Sequence, residues 1–215
     1  MRTKIKICGM TRPEDAVAAV ASGADAIGLI FYAQSPRAVD MSTAEIIAAA
    51  VPVFTTIVAV FVDPNEDQVR SVLRKVRVSL LQFHGEESDE FCKVFPVPYI
   101  KALRMSDDAD PGEYANRYPH AQGLLLDAYE INRPGGTGTV FPWERARGCE
   151  TKSVIIAGGL NADNVSTAIQ RSGAFAVDVA SGVEKRPGIK DHDKIRALCC
   201  AVADHDRCSS HGSAG

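Results

Sequence analysis

Lys4-Ile5-Lys6-Ile7-Cys8-Gly9-Met10 alternates polar and apolar residues up to Cys8 and then meets a glycine. The alternation and the two isoleucines predict a short strand, and Gly9 permits the turn that ends it. A thiol therefore stands at the carboxyl end of the first strand. In a sheet of parallel strands that end faces the ligand crevice, so Cys8 is either a small buried packing residue or a reactive group. The remaining strand ends bear on that choice.

Seven further apolar, β-branched runs follow: Ala26–Ile30, Thr55–Val62, Ser79–Phe83, Tyr99–Leu103, Gly123–Asp127, Val154–Ala157 and Phe175–Val179. Amphipathic stretches separate them, at Pro13–Ser22, Thr43–Ala50, Pro64–Lys75, Ser88–Val94, Pro111–Arg117, Trp143–Arg147 and Ala162–Arg171, and Asp191–Ala203 closes the series. Thr11 ahead of Arg12-Pro13-Glu14, Asp63-Pro64 and Asn161 supply capping signals for the first, third and seventh helices. Strand then helix, repeated eight times in 215 residues, predicts a single-domain (β/α)8 barrel. A doubly wound open sheet needs fewer strands and usually carries a glycine-rich phosphate loop where this chain has Cys8-Gly9-Met10. The barrel is expected to occupy residues 1–203. Residues 204–215 lose the apolar periodicity and predict a disordered tail, on which His205, Cys208 and His211 would form no preorganised metal site.

Composition narrows the function classes. The chain is 46% hydrophobic and 24% charged, with 24 basic against 27 acidic residues and a net charge of -3. No basic run tracks a phosphate backbone, so nucleic acid is not an expected partner. Neither a bilayer-spanning stretch nor a signal-peptide core is present, which predicts a cytoplasmic protein with no membrane partner. The six cysteines never form a Cys-x-x-Cys pair, a usage that fits reduced thiols.

Barrel active sites gather just after the strands. Those positions hold Cys8, Arg37 in the second loop, Asp63, His84-Gly85, Arg104, Asp127 with Arg133-Pro134-Gly135-Gly136-Thr137-Gly138 beyond it, Gly158-Gly159, and Ser181-Gly182. Gly158-Gly159 precedes a predicted helix, and Ser181-Gly182 ends the last strand. Bare N–H groups in such loops hold phosphate, commonly after strands seven and eight, whereas two ligand-free tight turns would leave the same pattern. Asp127 terminates Leu124-Leu125-Leu126 and faces Cys8 across the mouth in the expected barrel, a spacing suited to an acid and a base, although a helix cap or an arginine partner would also explain it. Arg37 offers a planar cation for a carboxylate, or is an exposed structural arginine.

In order along the chain, Lys6-Ile7-Cys8-Gly9, Asp25-Ala26-Ile27-Gly28, Ser35-Pro36-Arg37, Gln82-Phe83-His84-Gly85, Leu126-Asp127, Gly135-Gly136-Thr137-Gly138, Ala157-Gly158-Gly159-Leu160 and Asp178-Val179-Ala180-Ser181-Gly182-Val183-Glu184 resemble the phosphoribosylanthranilate isomerase family of tryptophan biosynthesis. The likeness runs from Lys4 to about Ile195. It implies a (β/α)8 barrel that acts on a phosphorylated small molecule by an Amadori rearrangement, without metal or cofactor, as a monomer or homodimer. By position it implies Cys8 as general base, Asp127 as general acid and Arg37 as partner of the anthranilate carboxylate. It also places His84, Gly158, Gly159, Ser181 and Gly182 at the substrate, the last four around its phosphate. Ala38 stands where the family often has an aromatic residue, and Ala180 replaces a frequent serine. An unperturbed thiol is only a few per cent thiolate at neutral pH, so the base needs a nearby cation such as Lys6 or Arg37. A binding barrel without catalysis would have no use for both an acid and a base. A bifunctional relative serving histidine biosynthesis typically carries paired aspartates, and Cys8 speaks against that alternative.

Overall fold

The computed structural model describes residues 2–106, 108–127, 142–149 and 151–211. Eight strands form a closed parallel barrel in sequence order: β1 Lys4–Cys8, β2 Ala26–Ile30, β3 Thr56–Phe61, β4 Leu80–Phe83, β5 Tyr99–Arg104, β6 Gly123–Asp127, β7 Ser153–Ala157 and β8 Ala176–Val179. β8 closes on β1 through Lys4 to Ile7 paired with Ala176 to Val179. The helices are α1 Pro13–Ala21, α2 Met41–Ala50, α3 Glu66–Lys75, α4 Asp89–Cys92, α5 Pro111–Arg117, α6 Val165–Ser172 and α7 His192–His211, with a 3-10 helix at Trp143–Gly148. After β8 a short hairpin, β9 Glu184–Arg186 and β10 Ile189–Lys190, precedes α7.

Both faces of each strand are covered, which is why the strands read as almost continuous apolar runs. Ile5, Ile7, Ile27, Leu29, Phe61, Leu81 and Leu124 pack outward against helix residues such as Ala16, Ile47, Val69 and Leu198. The alternate residues fill the barrel: Ile100, Ala102, Leu125, Ile155, Ala157 and Ala176 form one layer, and Val58, Val60 and Cys8 lie in another. Cys8 is thus packed and placed at the mouth together.

Local signals moved by a few residues. Asn65, not Asp63, opens α3, in a reciprocal capping box with Gln68. Asp63 instead takes a left-handed backbone, φ 45°, and accepts from Glu86 N at 2.7 Å. Thr11 does not cap α1; its hydroxyl donates to Gly188 O on the hairpin. Asp40 caps α2, so that helix starts two residues before Thr43. Asn161 caps a turn by accepting from Asp163 N and Asn164 N, and α6 starts only at Val165.

The larger correction concerns the end of the chain. α7 runs through Ala203 to His211, where a disordered tail was expected. Asp206 accepts from Thr3 N at 2.9 Å and Thr3 Oγ1 at 2.8 Å, tying the helix to the start of β1. Apolar periodicity misses such a segment because polar hydrogen bonds, not apolar burial, hold it.

Candidate active site

Period-two alternation turns Lys6 and Cys8 to the same inner face of β1. Lys6 Nζ donates to Asp178 Oδ1 at 2.9 Å, and both side chains are buried. Burial pushes the Cys8 thiol up from its ordinary value; Lys6 pulls it down, Asp178 pushes it up again and Lys190 pulls it down. The chain then turns at Gly9, φ 75°, where an added Cβ would lie 2.6 Å from Arg37 Cδ. Glycine is required there to let Arg37 cross over the end of β1.

Arg37 is gripped by Glu184, which accepts from Nε at 2.8 Å and Nη2 at 2.7 Å. The same carboxylate accepts from Lys190 Nζ at 2.9 Å and Gly188 N at 3.2 Å. Burial works against the Glu184 charge, yet Arg37 and Lys190 outweigh it and hold its carboxyl below the usual range. Burial likewise lowers the Lys190 ammonium despite Glu184. The bidentate grip fixes the guanidinium plane, as a single point contact would not.

Asp127 ends β6, three strands from β1 around the ring, and is half-buried. His84 Nε2 stands 3.3 Å from Asp127 Oδ2, while Gln82 Nε2 lies 3.3 Å from His84 Nδ1. An amide NH2 has no lone pair to offer, so in this arrangement it donates to Nδ1 and leaves the protonated Nε2 facing Asp127. The structure therefore puts His84 beside the expected acid. The loop containing Gly135-Gly136-Thr137-Gly138 lies outside the described residues.

The two glycine segments do meet. Gly158 and Gly159 both have positive φ, 87° and 65°, and an added Cβ at Gly182 would fall 1.9 Å from Leu160 O. The loops after β7 and β8 thus pack backbone on backbone. Gly158-Gly159 does not sit in the first turn of a long helix, since the Asn161 turn intervenes before α6. The donors on offer are the glycine turn and the start of the 3-10 turn Ser181–Val183.

The profile of the family described as PRAI, N-(5'phosphoribosyl)anthranilate (PRA) isomerase, matches residues 5–201. The chain belongs to that family. It is 47% identical over 206 residues to the N-(5'-phosphoribosyl)anthranilate isomerase of Halorhodospira halophila, covering 96% of this chain and 99% of the relative. The phosphoribosyl anthranilate isomerase of Thermotoga maritima superposes with a TM-score of 0.85 at 36% identity, over 94% of this chain and 99% of that one. A family structure in complex with reduced 1-(o-carboxyphenylamino)-1-deoxyribulose 5-phosphate superposes with a TM-score of 0.82 at 34% identity, over 94% and 99% of the two chains.

Reasoning from the sequence missed two parts of this isomerase-family site. Glu184 lay inside a quoted motif without a role, and Lys190 was not singled out; Glu184 meets Arg37 from 147 residues away in the chain, and Lys190 joins the site through Glu184. Lys6 and Asp178 did carry a signal: each interrupts a strand whose neighbours are apolar, at an inward position where an unpaired charge would be costly.

Proposed function

We propose that this chain converts N-(5'-phosphoribosyl)anthranilate into 1-(2-carboxyphenylamino)-1-deoxyribulose 5-phosphate by general acid–base catalysis. The observation that carries the reading is the placement of a thiol and a carboxyl group at the ends of β1 and β6 in a barrel of this family.

Asp127 gives a proton to the ring oxygen as the C1'–O bond breaks, and the anthranilate nitrogen lone pair forms the C1'=N iminium. Cys8, as thiolate, removes the C2' proton; the released electron pair forms C1'=C2' and neutralises the nitrogen. The resulting enaminol becomes the C2' ketone as C1' takes up a proton and the C2' hydroxyl releases one, and exchange with water returns a proton to Asp127 and removes one from Cys8. The oxidation of C2' is matched by the reduction of C1' in the same substrate, and the protons pass through Asp127, Cys8 and water, so the scheme calls on no oxidant, metal or cofactor. His84 then donates a hydrogen bond to the carboxylate that Asp127 has become. Arg37, its plane set by Glu184, pairs with the anthranilate carboxylate. The backbone of Gly158, Gly159, Ser181 and Gly182 receives the phosphate. Among the described residues no helix is long and apolar enough to cross a membrane. The free cysteines fit work in a reducing compartment, the cytoplasm.

The test is turnover by the purified protein, followed as the change in anthranilate fluorescence. Substrate is expected to disappear in proportion to enzyme; loss no faster than in buffer would overturn the assignment.

A further inference from the structure

The Cys8 thiol shares its recess with a buried ion pair that the reaction scheme leaves unused. Lys6 and Asp178 are in register on β1 and β8, 5% and 8% exposed, with 2.9 Å between ammonium and carboxylate. A buried pair of this kind is often no more stabilising than apolar residues of the same volume, so packing alone does not account for it. On the other side of β1, Gly28 is in register with Cys8, and a Cβ there would lie 2.7 Å from Cys8 Sγ and 3.1 Å from Lys6 Nζ. Thiol and ammonium converge on one small space, open because residue 28 has no side chain.

Among the described residues, the charged groups that bear on the thiol come from three elements: Lys6 on β1, Asp178 on β8 and Lys190 on β10. The neighbouring loop contributes Arg37, whose Nε and Nη2 are taken by Glu184. Val58 and Val60, packed around the thiol from β3, add no charge. Lys6 is thus the cation on the thiol's own strand face, and Asp178 is what holds it there.

We propose that Lys6 is the positioning residue of Cys8: Asp178 orients its ammonium against Sγ, Lys6 supports the thiolate, and Asp178 limits how strongly it does so. The inference rests on Cys8 as the base for its role in turnover, but not for its effect on the thiol. The titration tendencies agree with the geometry. Burial works against the charge on Lys6, yet Asp178 and Cys8 more than offset it and raise its pKa, so the cation persists in the barrel.

The experiment compares wild type with Lys6→Met, Asp178→Asn and the Lys6→Met/Asp178→Asn double variant, which removes both charges together and keeps the comparison usable if a lone buried charge impairs folding. Iodoacetamide alkylation is followed against pH by mass spectrometry of the Cys8 peptide, so the other cysteines do not contribute. The midpoint should move up by about one pH unit or more in Lys6→Met and down in Asp178→Asn, the size expected for a charge a few ångströms away. The double variant should fall between wild type and Lys6→Met. Unmoved midpoints in the folded variants, or movement of both single variants in one direction, would overturn the inference. The acid limb of kcat/KM, measured in parallel, should shift with the thiol. If alkylation shifts and that limb does not, Cys8 is not the base, while Lys6 still governs its ionisation.

Discussion

The two sides of the barrel mouth are built differently. Around β8, β1 and the hairpin, three cations are held by buried carboxylates: Lys6 by Asp178, and Arg37 by Glu184, which also binds Lys190. Around β4 and β6, Asp127 and His84 are half-exposed, stand 3.3 Å apart, and are approached by the neutral amide of Gln82. Low-dielectric surroundings strengthen each interaction on the first side and make the loss of any partner costly. The second side leaves its carboxyl group half-exposed at the rim. The difference teaches that one barrel mouth combines a preorganised, charge-paired side with a more open one, which under the proposed function are the substrate anchor and the proton donor.

Mutating the chemistry on either side tests this with the largest effect. Cys8→Ser and Asp127→Asn are each expected to lower kcat by roughly 10²–10⁴-fold, the usual range for a positioned acid or base. Melting temperature should change little for Asp127→Asn at the open rim. Full activity in either variant would move the chemistry to another strand end, with Asp63 and Asp178 first in line.

Glu184→Gln probes the anchor. The amide keeps the shape but leaves Arg37 and Lys190 without their shared anion, so KM should rise about tenfold, near 1.4 kcal/mol of substrate binding, with a smaller change in kcat. Stability should fall by about 3 kcal/mol near neutral pH, as when one member of a buried pair is removed. The Glu184 carboxyl titrates below its ordinary value when folded, so its contribution is complete above the unfolded pKa of about 4.3 and fades as pH falls through the folded value. The melting-temperature gap between the two proteins should therefore close on acidification. A gap that widens in acid would mean Glu184 is not held as a carboxylate.

The smallest effect is expected at the opposite end of the barrel. Truncation after Ala203 removes the last turns of α7 and both hydrogen bonds from Thr3 to Asp206. The loss should be about 1–3 kcal/mol, a few degrees in Tm, with kcat untouched. An unchanged Tm would make residues 204–211 a solvated appendage after all.

What could be read from the chain alone followed period and punctuation. Eight apolar runs with amphipathic stretches between them leave few architectures other than a closed parallel barrel. Once the barrel is assumed, the strand ends offer Cys8 and Asp127 among several polar residues, and the family resemblance singles out the two without knowledge of any contact. The glycine pairs were legible because glycine advertises a backbone need: Gly158 and Gly159 do take positive φ. Loop boundaries were less legible, since Asp63, Asn65 and Thr11 are all competent caps and only the packing of the loops selects among them.

By itself the sequence determined the order of strands and helices, the face on which each strand residue lies, and the residue types offered at the mouth, because these depend on spacing within ten or so residues. The tertiary structure decided the pairings: Lys6 with Asp178, Arg37 with Glu184 rather than open to solvent, His84 with Asp127, and Thr3 with Asp206. Partners separated by 43 to 203 residues along the chain leave no periodic trace. Only closure of β8 on β1 brings the first and last elements together, and with them the charges that set the thiol and the arginine.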